Sequence, residues 1–416
     1  MPEITSIEER LVFNSRGDKS IEIDVQSDKK YRGRACAPSG ASVGMYEAQS
    51  FVQNDPELTL NNFKSIKNKF IGIDSADLKN LHDAIKTVDP SDNYSNIGGA
   101  VAYALTIASV DSAAKAMNVP FYQVLNPRLK KISFPYPLGN VLGGGAHAGP
   151  GTPDLQEFLI CPIKSKSISE AISLNSQIHK EVKKSIEKID SKFTYGKGDE
   201  GGWAPIIVND SAIELVESAI ISCGYDPKKE VRMGIDFASS SLWDNNKKVY
   251  DYQREGIIRT TEEQIDYADK LIRDYNLVYA EDPLHEEDFE NMSIITRDNP
   301  RCFVTGDDLL VTNRNRAKIA AEKKACSGAI LKVNQAGTLY DAMVFAEECN
   351  HNNIKIITSH RSGESIDSHI SHISIATNSI MIKTGIVGGE RISKLNELLR
   401  VSEYGLIEGM AKWSNI

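Results

Sequence analysis

Six short apolar runs dominate the second half of this 416-residue chain, and each stops at a charged or polar side chain. Val231-Arg-Met-Gly-Ile leads to Asp236, Leu277-Val-Tyr-Ala to Glu281, and Cys302-Phe-Val-Thr-Gly to Asp307. Gly328-Ala-Ile-Leu leads to Lys332, Ile354-Lys-Ile-Ile-Thr-Ser to His360 and Arg361, and Ser379-Ile-Met-Ile to Lys383. From Glu281 onwards the ends follow one another at 26, 25, 28 and 23 residues, the length of one strand, one helix and two loops. Strands buried on both faces read as unbroken apolar runs, so the pattern predicts a parallel sheet covered by helices. In a closed (β/α)8 barrel the C-terminal strand ends form one mouth, where the chemistry sits. Acids, lysines, a histidine and an arginine would then meet there.

The first part reads as α+β. Ile21, Ile23 and Val25 alternate along a strand, and residues 98–117, rich in Ala, Val and Leu, predict a closely packed buried helix. Asn126-Pro127, Pro135 and Pro137 exclude a continuing helix, so the boundary is expected near residue 130: an α+β domain over 1–130 and a barrel over 131–416. An amphipathic helix is expected with Ile178, Val182, Ile186 and Ile189 on one face. Residues 138–153 hold six glycines without the phosphate-loop or dinucleotide spacing. They read as a surface loop or as a mobile lid carrying His147.

Composition narrows the choice. A net charge of −9 argues against a nucleic-acid or membrane-surface role. No run of about 18 apolar residues is present, so no membrane span is expected. The N-terminus lacks a basic stretch followed by an apolar one, so no signal peptide is expected. Six scattered cysteines form no Cys-x-x-Cys pair, which favours reduced thiols in a cytoplasmic protein over zinc or disulfides.

Asp236, Glu281 and Asp307 are hard oxygen donors suited to magnesium. On the same rim, Lys332 and Lys383 could divide two tasks: one neutral and taking a proton, the other charged and steadying an anion. A dication and a second lysine would lower the pKa of the base. The turn from His360 through Arg361 and Ser362 suits a phosphate. Glu200, between glycines in Gly198-Asp-Glu-Gly-Gly, is a candidate acid. Together these groups suit proton abstraction beside a carboxylate, with an acid assisting departure of a hydroxyl.

Ordered along the chain, these motifs resemble the enolase family. They include Pro38-Ser-Gly-Ala-Ser42, His147-Ala-Gly, Gln156-Glu157-Phe, Gly198-Asp-Glu200-Gly-Gly, Glu281-Asp-Pro, Gly306-Asp307-Asp-Leu, Leu331-Lys332-Val-Asn-Gln, Ser359-His-Arg-Ser-Gly-Glu and Ile382-Lys383-Thr-Gly. The wording around the glycine-rich segment looks closer to the archaeal branch. The use of a lysine base with one or two magnesium ions is a recorded trait of that superfamily. The resemblance implies an irregular barrel with one antiparallel strand, and reversible dehydration of 2-phospho-D-glycerate to phosphoenolpyruvate in glycolysis and gluconeogenesis. It implies two Mg2+ per occupied site, the first on Asp236, Glu281 and Asp307 and the second completed by Ser42. Lys332 would be the base and Glu200 the acid, supported by Glu157. His147, Gln156, Glu157 and His360 would line the substrate, Arg361 and Ser362 would hold its phosphate, and Lys383 its carboxylate side. A homo-oligomer, dimer or octamer, is implied as well. Val43, Asp18-Lys19, His372 and Gly389 depart from the commonest family wording. A sister reaction of the superfamily, or a binding role on an enolase body, stands as the alternative.

Overall fold

A computed structural model describes residues 1–40, 44 and 46–413. Ser42 and Val43 therefore lie outside the described residues. The chain opens with an antiparallel meander of β1 (Ile4–Phe13), β2 (Lys19–Ser27) and β3 (Tyr31–Cys36). Its inner face carries Ile21, Ile23 and Val25, all fully buried, in the alternation expected for a half-buried strand. Against β2 and β3 packs the helix Gly99–Met117, whose many alanines permit close approach. The approach is closest at Gly33 of β3, where an added Cβ would fall 2.0 Å from the Ala108 carbonyl oxygen and 2.3 Å from the Ser112 amide nitrogen. Gly33→Ala is expected to cost about 1–3 kcal/mol through this overlap. Denaturant unfolding reads the change as a lower midpoint at unchanged slope, and a parental midpoint would disprove the tight contact.

Two strands, β4 (Ile132–Phe134) and β16 (Ile407–Met410), pair with each other outside the barrel. The barrel itself is built from β5 (Tyr136–Gly143), β6 (Glu157–Cys161), β7 (Arg232–Asp236), β11 (Tyr279–Glu281), β12 (Phe303–Gly306), β13 (Gly328–Leu331), β14 (Lys355–Ser359) and β15 (Met381–Lys383). Between β7 and β11 lies a small sheet of β8 (Trp243–Asp244), β9 (Val249–Tyr252) and β10 (Ile257–Arg259). The ring closes in the order β11-β12-β13-β14-β15-β5-β6-β7. All six runs noted in the sequence became barrel strands. The other two, β5 and β6, were hidden: Pro137 within β5 reads as a breaker, and residues 138–143 of the glycine-rich stretch are strand, not loop. Pro137 is tolerated because it stands at the start of the strand, ahead of the pairing with β6 that begins at Gly139, while Tyr136 donates towards β15.

Only β6 runs against its neighbours, antiparallel to both β5 and β7. The step from Asp236 to Glu281 is longer than the later ones because the β8–β10 sheet is inserted there. In the helix Ile168–Ile189, Ile178, Val182 and Ile186 are buried as expected, but Ile189, its last residue, is 60% exposed. The amphipathic face ends where the helix leaves the sheet. Several barrel helices start on side-chain caps, such as Ser167 and the Thr260–Glu263 capping box, which satisfy amides that have no partner inside the helix.

Side chains alternate along each strand, and this aims the chemistry. Tyr279, Ile330, Met381 and Leu159 fill the lumen as parts of one buried cluster. Two positions nearer the mouth on the same strand faces stand Glu281, Lys332, Lys383 and Glu157. At the opposite end Trp413 stacks on Tyr136 and Phe303, with ring centroids 4.9 and 5.3 Å apart, and closes the barrel floor.

Candidate active site

Reversal of β6 puts its first residue, Glu157, at the mouth, level with Asp236 at the end of β7. Asp236 is in turn level with Glu281, and Ser359 with Lys383. β6 stands four places from β13 in the eight-stranded ring, so Glu157 faces the Lys332 side across the lumen. Between them is a cavity of about 140 Å³, lined among others by His147, Gln156, Glu200, Asp236, Asp307, Lys332, Arg361, Ser362 and Lys383. Glu157, Glu281 and His360 stand behind these groups, at 0, 1 and 2% exposure.

The acids form two neighbourhoods. The Lys383 ammonium sits among Glu281 Oε2 (2.5 Å), Asp236 Oδ2 (3.0 Å) and Glu157 Oε2 (3.0 Å). Tyr279 donates its hydroxyl to Glu281 (2.6 Å), and Gln156 donates its amide to Asp236 (3.1 Å). Asp307 pairs with Lys332 and accepts from Gln335 (3.1 Å). Below it, Asp282, held in left-handed geometry (φ 41°), accepts the backbone amides of Asp307 (3.1 Å) and Asp308 (2.7 Å) and so shapes that turn. The three predicted metal ligands thus share the mouth, but in this arrangement they address two lysines. Burial, then Asp236, pushes Glu281 up to about 7. Burial, then Asp307, does the same to Asp308. So many buried carboxylates exceed what two ammonium groups neutralise. This surplus of hard oxygen donors fits a divalent cation held by Asp236, Glu281 and Asp307.

Lys332 differs from the sequence expectation. Burial is the largest influence and lowers its pKa, but Asp307 and Glu281 together raise it above the ordinary value, so the ammonium keeps its proton in this arrangement. Lys383 is likewise held protonated, its three carboxylates overcoming burial.

A third neighbourhood holds the candidate acid. His147 Nδ1 lies 3.0 Å from Glu157 Oε1 and 3.8 Å from Glu200 Oε1. His360 Nε2 lies 2.9 Å from Glu200 Oε2. Burial opposes the charge on His147, yet the facing carboxylates lift it to about 9. Burial, then Glu200, pushes Glu157 up to about 8. Burial also works against the Glu200 carboxylate, but the imidazoles hold it below the usual range. The two glutamates are thereby driven apart: in this arrangement the proton rests on Glu157 and Glu200 is the anion, so Glu200 acts as an acid only after taking up a proton.

At the His360-Arg361-Ser362 turn the Ser362 hydroxyl is buried without a hydrogen-bond partner among the described residues, an opening for an oxyanion. Arg361 pairs with Glu47 (2.9 Å). The segment before residue 41 joins this turn through Ser39 and Gly363, which exchange backbone hydrogen bonds of 2.8 and 2.9 Å. On the far side of that segment, Ala48 donates to the Gln335 carbonyl (2.8 Å). The N-terminal segment therefore reaches the mouth on both sides of Ser42. His147 lies on the short turn Gly145–His147, whose stem is tied by Arg254 to the carbonyls of Gly145 and Pro153 (2.8 Å each). His372, one of the departures from the family wording, stays outside the mouth and pairs with Glu397 at 3.1 Å.

Glu47, Asp282 and Arg391 were not singled out as site residues by sequence. Glu47 follows a loop motif closely but carries no spacing signal, and Arg391 reads as an ordinary residue in the first turn of a helix.

A barrel with one reversed strand, a lysine facing an acid cluster, carboxylates for a dication and an anion-ready turn defines a proton-abstracting lyase of the (β/α)8 class. The chain belongs to the enolase family. Residues 4–125 match the family described as "Enolase, N-terminal domain", and residues 131–412 match "Enolase, C-terminal TIM barrel domain". It is 40% identical over 410 residues to the enolase of Methanosphaera stadtmanae, covering 98% of this chain and 99% of that one. It is 41% identical over 406 residues to the enolase of Methanocorpusculum labreanum, covering 97% of this chain and 100% of that one. Its activity is that of phosphopyruvate hydratase, a lyase of glycolysis that acts on a phosphorylated three-carbon acid with the help of a divalent metal. None of the described helices is long and apolar enough to cross a membrane.

Proposed function

We propose that Lys332 removes the proton at C2 of 2-phospho-D-glycerate and that Glu200, supported by His147 and supplied with a proton by its neighbour Glu157, protonates the hydroxyl leaving C3. The observation that carries this reading is the placement of Lys332 on β13 opposite the β6 cluster in the ring, with the cavity between them. Proton and hydroxyl then depart on opposite sides of one small substrate. Arg361 and Ser362 hold the phosphate, in keeping with the unpartnered Ser362 hydroxyl. Lys383 steadies the substrate carboxylate, and Gln156 orients Asp236. His360 lies against Glu200 and lines the acid side. When bound on Asp236, Glu281 and Asp307, a divalent cation supplies positive charge beside the substrate carboxylate and offsets the acids that hold the lysine protons. We assign that ion as Mg2+, with Ser42 reserved for a second.

The same reading divides the chain near residue 130, into an α+β unit over 1–130 and the barrel over 131–416. It makes the protein a cytoplasmic homo-oligomer, in agreement with six free cysteines. The test is ultraviolet detection of the enol phosphate formed from 2-phospho-D-glycerate. Product is expected with magnesium and none with excess chelator. Product undiminished by chelator would overturn the metal assignment, and turnover of an unphosphorylated acid in its place would favour a sister reaction.

A further inference from the structure

We propose that Arg391 is a positioning residue that decides which oxygen of Glu200 carries the acid proton. The inference rests on Glu200 being the acid, as proposed above. Arg391 lies in the first turn of the helix Gly389–Tyr404 and is fully buried. Nη1 donates to His360 Nδ1 (2.9 Å) and to the Arg361 carbonyl (2.6 Å). Nη2 donates to the Ser362 carbonyl (2.7 Å) and to the Asp199 carbonyl (3.0 Å). One guanidinium therefore joins the acid's own loop, its imidazole partner and the phosphate turn.

A guanidinium has donors only and keeps its proton, so His360 Nδ1 must present a lone pair to it. Burial holds His360 at about 4, and Arg391 adds to this against the opposing pull of Glu200. The ring is neutral at pH 7, and its single proton sits on Nε2. That proton is donated to Glu200 Oε2, 2.9 Å away. With Oε2 engaged as an acceptor, the proton that Glu200 takes up for the leaving hydroxyl is carried on Oε1, the oxygen turned towards His147. Arg391 thus acts through His360 and touches no reacting atom.

The whole protein, labelled with 15N-histidine, tests this directly. The chain has eight histidines, and the spectrum of His360→Gln assigns the resonances of His360. Expected is a non-protonated Nδ1 and a protonated Nε2 with no titration between about pH 5 and 8, the range in which a free imidazole changes charge. A protonated Nδ1, or an imidazolium at neutral pH, would overturn the proposal. Arg391→Gln is expected to mix the tautomers and to lower kcat about 10- to 100-fold, as loss of a partner orienting a ligating imidazole does, with a smaller change in KM. Arg391→Lys, which keeps one donor, recovers part of the loss. A lower Tm with tautomer and kcat unchanged would show a merely structural role and also sink the idea. If Arg391→Gln does not fold, the wild-type spectrum still decides. Full turnover by Glu200→Gln would remove the acid assignment while leaving the tautomer result untouched, so the two failures are distinguishable.

Discussion

Lys332→Ala is expected to lower turnover of 2-phospho-D-glycerate by about 10²- to 10⁴-fold, the range that a positioned general base supplies. The lysine directly follows β13, is nearly buried and pairs with Asp307. Its removal leaves Asp307 with the Gln335 amide and the nearby Arg361 charge, so the fold should persist. Lys332→Arg separates the two roles that the lysine could play. Arginine keeps a positive charge beside Asp307 but does not give up its proton at working pH. If Lys332 is the base, both variants lose exchange of the C2 proton with deuterated water while still binding substrate. Exchange at the parental rate in either would show that another group takes the proton. KM should move less than kcat, because the phosphate contacts at Arg361 and Ser362 remain.

Asp307→Asn should weaken magnesium binding by more than about 100-fold, beyond the 10- to 100-fold cost of losing a supporting partner. The buried surplus of negative charge drops by one, and Asn offers only a neutral oxygen. Calorimetric titration of the metal into substrate-free protein reads this without turnover. The same change removes the carboxylate that holds the Lys332 proton, so burial then lowers the lysine pKa unopposed by Asp307. A variant that binds magnesium like the parent would place the first ion elsewhere; it would also exclude a site on Asp282, Asp307 and Asp308, whose carboxylate oxygens lie within 4.8 Å of one another, because that group shares the lost ligand.

The sequence by itself determined the six strands from β7 onwards other than the short inserted ones, and the side chains at their ends. The reason is local: a strand buried on both faces has to be apolar, and the first polar residue beyond it marks the mouth. It also determined the buried helix Gly99–Met117 and the meander face of Ile21, Ile23 and Val25, each through its periodicity. The resemblance of the motifs supplied the order of the remaining site residues. Only the tertiary structure decided the rest. β5 and β6 were illegible because Pro137 and the glycines that follow read as breakers, and only pairing with β15 and β7 makes them strands. The protonation of Lys332 depended on carboxylates brought in from elsewhere in the chain, Asp307 25 residues away and Glu281, which together overcome burial. The link from Arg391 to His360 and Asp199 joins residues 31 and 192 positions apart, and hydrophobic pattern carries no record of such a contact. Periodicity reports what a segment buries; it does not report which charges the fold brings face to face.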